Sequence, residues 1–157
     1  MAHYIDNTPC SYFGPDCEPF LRAIGWLEAG ILYETGPVAP AFVERLATLL
    51  VDPWIPWVCG GSHRCGLCRL TGGPGSIRIG GTEVGIGNTN LFVPSAGFAY
   101  VAPSTVLHYM DAHQYSPPAA FVEAVRACPD MRSMDYLRRM SRECPELVKR
   151  SAAHGQH

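Results

Sequence analysis

The chain has little charge, one lysine and no long apolar run. Charged residues make up 17% of its 157 positions, against roughly 25% in an average domain. Twelve Lys and Arg against fourteen Asp and Glu give a formal net charge of −2, and Lys149 is the single lysine. A dedicated nucleic-acid binder carries a strongly basic domain, so nucleic acid is not an expected partner. No segment approaches the roughly 18 consecutive apolar residues of a membrane span. The opening MAHYIDNTPC has neither the basic start nor the apolar stretch of a secretory signal. These absences predict a cytoplasmic protein with no membrane partner.

Familiar catalytic signatures are missing as well. There is no H-E-x-x-H, no H-x-E followed by P-C-x-x-C, no phosphate-binding glycine loop and no G-x-S-x-G elbow. The glycines of GGTEVGIG (80–87) are therefore read as turn formers. No catalytic residue is assigned, and the sequence leaves open whether the chain is an enzyme.

What is abundant is turn chemistry, with 16 Gly and 14 Pro beside 47% hydrophobic residues. That mixture predicts one globular domain, residues 1–150, with many short elements. The small polar stretch SAAHGQH (151–157) is expected to be a disordered tail. Two N-terminal helices are predicted. A short one has Asp16 as its cap, Pro19 in its first turn and Phe20, Ile24 and Leu27 on one face. The second covers about 40–51, where Phe42, Val43, Leu46, Leu49 and Leu50 recur at helical spacing. Four short runs at 76–79, 82–86, 90–94 and 98–102, parted by glycines, predict a small antiparallel sheet as a meander or two hairpins. Three helices should follow at 103–113, 117–128 and 133–144, with Ser116 and Ser133 as N-caps of the last two. Met134, Leu137, Met140 and Cys144 should form the buried face of the third. Helices, then strands, then helices make an α+β protein, since strands and helices do not alternate.

Seven cysteines (10, 17, 59, 65, 68, 128 and 144) are an odd number. They suit metal ligation or packing in a reducing compartment better than a disulfide framework. The strongest local signal is Cys65-Gly-Leu-Cys68, a spacing that lets two thiolates bind one zinc ion from a tight turn. Arg64 and Arg69 flank it and favour the thiolate form. Downstream, LHYMDAHQY supplies His108 and His113 on a predicted helix. CxxC, a β-rich stretch and then H-x4-H is the ligand order of Cys2His2 zinc sites. The 39 residues between Cys68 and His108 make it no compact finger; the site would have to join a sheet edge to a helix. Two residues five apart on an ideal helix point about 140° from each other. The helix must therefore end at His113, where Tyr115-Ser116-Pro117-Pro118 stops it. Cys65, Cys68, His108 and His113 are the expected zinc ligands. His63 competes through H-x-C-x2-C and could replace either helix histidine, Cys59 is a weaker substitute, and Asp111 could support a ligating imidazole. Each histidine alone also fits an ordinary hydrogen-bonded role.

At GSHRCGLC, NLFVP, YVAPSTVLHYMDAHQYSPPAAFVEAV and CPDMRS the chain resembles a bacterial family of small proteins of unknown function. The family pattern is H-x-C-x2-C, then Y-x-A-P, then H-Y-x3-H-x-Y-x-P-P. The resemblance covers about 62–133 and implies a shared site at His63, Cys65, Cys68, His108 and His113, without implying a reaction. Met110 stands where the pattern more often has Ile.

Three readings follow. The first is a zinc-stabilised interaction or regulatory module with an unidentified protein partner, about one zinc per chain and loss of folding under strong chelation. The second is a zinc-dependent hydrolase with an open metal position, served by Glu83 or Asp111 as base. The third is a thiol redox protein using Cys65 and Cys68, disfavoured because RLTGGPGS cannot continue as the helix such thiols need.

Overall fold

The computed structural model describes residues 2–56 and 62–154. The fold is mixed α+β, as the element order predicts. Its strands are β1 (Leu21–Ala23), β2 (Ser76–Ile79), β3 (Thr82–Gly85), β4 (Asn90–Pro94) and β5 (Ala99–Pro103). Its helices are α1 (Pro40–Val51), α2 (Val106–His113), α3 (Ala119–Ala127), α4 (Met134–Glu143) and α5 (Pro145–His154).

The four glycine-parted runs are two hairpins, β2–β3 and β4–β5, each antiparallel, but they belong to separate sheets. The expected all-antiparallel sheet is corrected at one edge. β1 pairs in parallel with β5, Leu21 opposite Ala99 and Ala23 opposite Val101, which makes the three-stranded sheet mixed. β1 occupies the place of the predicted first helix. Between Pro19 and Gly25, whose φ is +71°, there is too little chain to nucleate a helix. Leu21 and Ala23 are fully buried with Arg22 between them half-exposed, the two-residue period of a strand. Asp16 lies in a 3-10 turn, Pro15–Cys17, and pairs with Arg150 of α5.

The later helices differ in their ends. Pro103 closes β5 instead of opening α2, and Pro118, not Ser116, is the N-cap of α3. Ser133 does cap α4, accepting the Tyr136 N–H at 3.1 Å. The buried face of α4 is formed by Tyr136 and Met140, while Met134 and Leu137 are 61% and 41% exposed. The Tyr136 hydroxyl donates to the Phe92 carbonyl at 2.7 Å, which fixes the helix rotation against β4. A fourth helix follows the strands where three were expected. Proline is favoured in a first helical turn, so Pro145 opens α5 rather than ending the fold. α5 continues to His154, and residues 155–157 lie outside the described residues.

One cluster of buried apolar side chains runs from Cys10 to Leu147. α1 packs on β3 and α3, and Phe42, Phe121 and Tyr100 meet edge to face through this layer at 6.3 and 5.6 Å. β5 lies between β1 and β4 and is buried along its whole length. Because β5 runs through Ser104 and Thr105 straight into α2, the sheet fixes where α2 begins.

Candidate metal centre

Two segments far apart in sequence build the site. The first is a knuckle. The Cys65 N–H donates to the Gly72 carbonyl at 2.8 Å and the Gly72 N–H to the Cys68 carbonyl at 2.9 Å, folding residues 65–72 back on themselves. Backbone N–H groups of Leu67 and Cys68 point at the Cys65 sulfur. The second is the end of α2. Its last residue is His113; Gln114 turns left-handed at φ +56° and sends its N–H back to the Tyr109 carbonyl. The helix thus ends where the histidine spacing requires. His108 and His113 bring their rings to 5.0 Å at an interplanar angle of 90°.

Short polar ties hold the segments in register. The His63 N–H donates to the Gly87 carbonyl. The Gly87 N–H donates to the Ser104 hydroxyl at 2.8 Å, and the Thr105 hydroxyl donates to the His63 carbonyl at 2.8 Å. Ser104 and Thr105 are fully buried, so both hydroxyls work in a dry environment. Gly87 has φ +92°, and a Cβ there would lie 2.9 Å from the His63 carbonyl oxygen.

Four donor atoms converge. The Cys68 sulfur is 3.2 Å from His108 Nε2 and 3.4 Å from His113 Nε2, and the Cys65 sulfur is 3.4 Å from His113 Nε2. One ligand atom from each of Cys65, Cys68, His108 and His113 lies within 4.8 Å of the other three. Zinc–sulfur and zinc–nitrogen bonds of about 2.3 and 2.0–2.1 Å set an S···N edge of about 3.6 Å in a tetrahedron, a few tenths of an ångström from these separations. A hydrogen-bonded cluster fits less well. His113 Nε2 is equidistant from both sulfurs, and one N–H can align with only one of them. The four residues could hold a metal ion.

The electrostatics describe the unloaded state. Burial pushes the Cys65 thiol up, opposed by the backbone N–H groups of Cys68 and Leu67. Burial pulls the His108 imidazole down, helped by nearby His113 and opposed by Asp111. A neutral imidazole is ready to ligate, whereas a thiol must lose its proton first. Tyr109 is fully buried, and its hydroxyl has no hydrogen-bond partner among the described residues; burial pushes its pKa up, and both sulfurs add to this.

The other candidates are not part of this cluster. His63 packs edge-on to Trp26 at 5.3 Å, and its buried Nε2 has no hydrogen-bond partner among the described residues. Glu83 takes the Ser76 hydroxyl at 3.1 Å and pairs with Arg78 at 3.7 Å. Asp111 is exposed. Cys10, Cys17, Cys128 and Cys144 are buried free thiols in the core, and Cys59 lies outside the described residues.

Sequence reasoning missed Gly73. Its φ is +87°, and a Cβ there would lie 3.0 Å from the Cys65 Cβ and 3.3 Å from His108 Nε2. The signal was the Gly-Gly pair after CxxC, which reads as a helix breaker until the knuckle is folded.

Fold and site together define a small α+β protein with a Cys2His2 cluster that joins a knuckle to a helix end. The chain belongs to a family described as a domain of unknown function (DUF7919), whose model matches residues 2–126. That span contains all four donors and ends within α3. No curated protein and no solved structure matches the chain.

Proposed function

We propose that this protein is a zinc-binding module whose metal is structural, held by Cys65, Cys68, His108 and His113, and that it acts through contacts with another protein in an interaction or regulatory role. The observation that carries this reading is the convergence of two sulfurs and two imidazole nitrogens within 4.8 Å. The donor set supports zinc over harder cations: thiolate and imidazole suit zinc, whereas calcium and magnesium take oxygen. Four protein donors complete a tetrahedron and leave no position for water, which argues against a hydrolase. The loaded metal would pin the knuckle to the end of α2. Buried free thiols at Cys10, Cys17, Cys128 and Cys144 suit the reducing cytoplasm of a bacterium, and we take residues 1–150 as one folding unit.

Elemental analysis of protein purified without added metal tests the assignment. About one zinc per chain is expected, falling well below that in Cys65→Ser and His108→Ala. Full zinc retention in both variants would remove the site. Zinc binding with measurable hydrolytic turnover, abolished in the same variants, would replace the structural role by a catalytic one.

A further inference from the structure

The knuckle carries an apolar tip. Leu70, between Cys68 and Gly72, is 100% exposed. Arg64 and Arg69 beside it are exposed and have no salt-bridge partner among the described residues. Leu70 contributes nothing to this chain's own core.

An opposite surface adjoins it. A groove of about 420 Å³ is lined by Val38, Val43, Ile79 and Met110, with Glu44 and Asp111 as its charged residues. Both carboxylates are exposed and have no salt-bridge partner among the described residues. Gln114, the C-cap of α2, also lines the groove, so the negative end of that helix adds to its potential. The groove is apolar within and acidic at the rim; the knuckle is apolar at the tip and basic at the flanks. Cys68 and His113 are in contact at 3.4 Å, so tip and groove flank the same centre on one molecule. Adjoining complementary patches suit a two-fold pairing, in which each is used twice.

We propose that the occupant of this groove is the Leu70 knuckle of a second copy of this chain, Arg69 facing Glu44 and Asp111 across the interface. Opposite charges at the rim select this partner and this orientation, and the leucine fills the apolar floor. The inference rests on the metal reading, since zinc would hold the knuckle tip in place.

Sedimentation velocity of the zinc-loaded full chain, from micromolar to millimolar concentration, tests it. The expected mass rises from one chain to two. Leu70→Ala, R69E and the double variant E44R/D111R should each weaken association by about tenfold or more. R69E mixed with E44R/D111R at equal amounts should restore pairing, because the exchanged charges match at both contacts. Restoration is a readout that a merely misfolded variant cannot give. A zinc-loaded wild type that stays monomeric throughout overturns the pairing and leaves the metal site standing. So does a dimer indifferent to all the substitutions, or a mixture that fails to pair. A zinc-free chain that still dimerises through these residues keeps the pairing and overturns only its dependence on the metal.

Discussion

On the zinc reading, stripping the metal from the loaded protein with a strong chelator should remove the tie between the 65–72 knuckle and α2. Cys68 and His108 are 40 positions apart in sequence. A cross-link closing a loop of that size constrains the unfolded chain by about 4 kcal/mol. Mass action gives a similar scale: free zinc at about a thousand times its Kd stabilises by about 4 kcal/mol. At roughly 2–4 °C per kcal/mol for a domain of this size, the melting temperature should fall by about 8–16 °C. The fall should stop short of complete unfolding at room temperature, because the apolar cluster from Cys10 to Leu147 draws mostly on residues outside the site. Differential scanning calorimetry with and without chelator measures the shift, and hydrogen exchange locates it. The Cys65 and Gly72 amides, bonded within the knuckle, should lose protection first, and those pairing β4 with β5 should keep theirs. An unchanged melting temperature in protein shown to have lost its zinc would refute the reasoning.

Zinc binding should release protons and tighten as pH rises. The Cys65 thiol is held above its usual range by burial, so it is protonated near neutrality and must give up that proton to bind. Calorimetric titrations in buffers of different ionisation enthalpy check this, and a buffer-independent heat would contradict it. Gly73→Ala forces a side chain into a left-handed position at about 1–2 kcal/mol and crowds Cys65 and His108; zinc affinity by chelator competition should fall about tenfold. Tyr136→Phe removes the hydroxyl that donates to the Phe92 carbonyl, so denaturant melts should show a loss of about 0.5–1.5 kcal/mol with zinc content unchanged. Burial raises the Asp6 carboxyl, outweighing its hydrogen bonds from Gly25 and Tyr115. Its folded pKa therefore lies above its unfolded value, so its contribution to stability is full below the unfolded pKa and is lost as pH rises through the folded one. The stability of Asp6→Asn relative to wild type should accordingly improve from about pH 3 to about pH 7. A difference independent of pH would show that Asp6 does not titrate as placed.

Much of the strand and helix order was legible because it rests on local chemistry. Glycine-parted runs at 76–102 read as hairpins, Ser133 as a cap, and the apolar spacing over 40–51 as α1. The errors fall where an element's identity depends on a distant neighbour. Leu21–Ala23 is a strand because β5 offers it a ladder, and nothing within five residues of it says so. Of the expected buried face of α4, Met140 and Cys144 are buried but Met134 and Leu137 are exposed, for a similar reason. Met134, Leu137 and Met140 form a plausible apolar row, but the Tyr136 hydroxyl finds the Phe92 carbonyl and rotates the helix.

For the candidate metal centre, the residues alone supplied the four candidate donors, their spacing and the need for α2 to end at His113. All of these follow from bond lengths and the pitch of a helix. The sequence left His63 in contention, because an H-x-C run places both side chains on one side of an extended segment. In the folded chain His63 packs against Trp26 and residues 65–72 close into a knuckle, which leaves His63 outside the four-donor cluster. Tertiary structure also decided that Gly73 and Gly87 must lack side chains, and that sulfur and imidazole 40 positions apart meet at 3.2 Å. Such proximity depends on how the sheet sets the helix against the knuckle, a property of packing that no stretch of residues carries by itself.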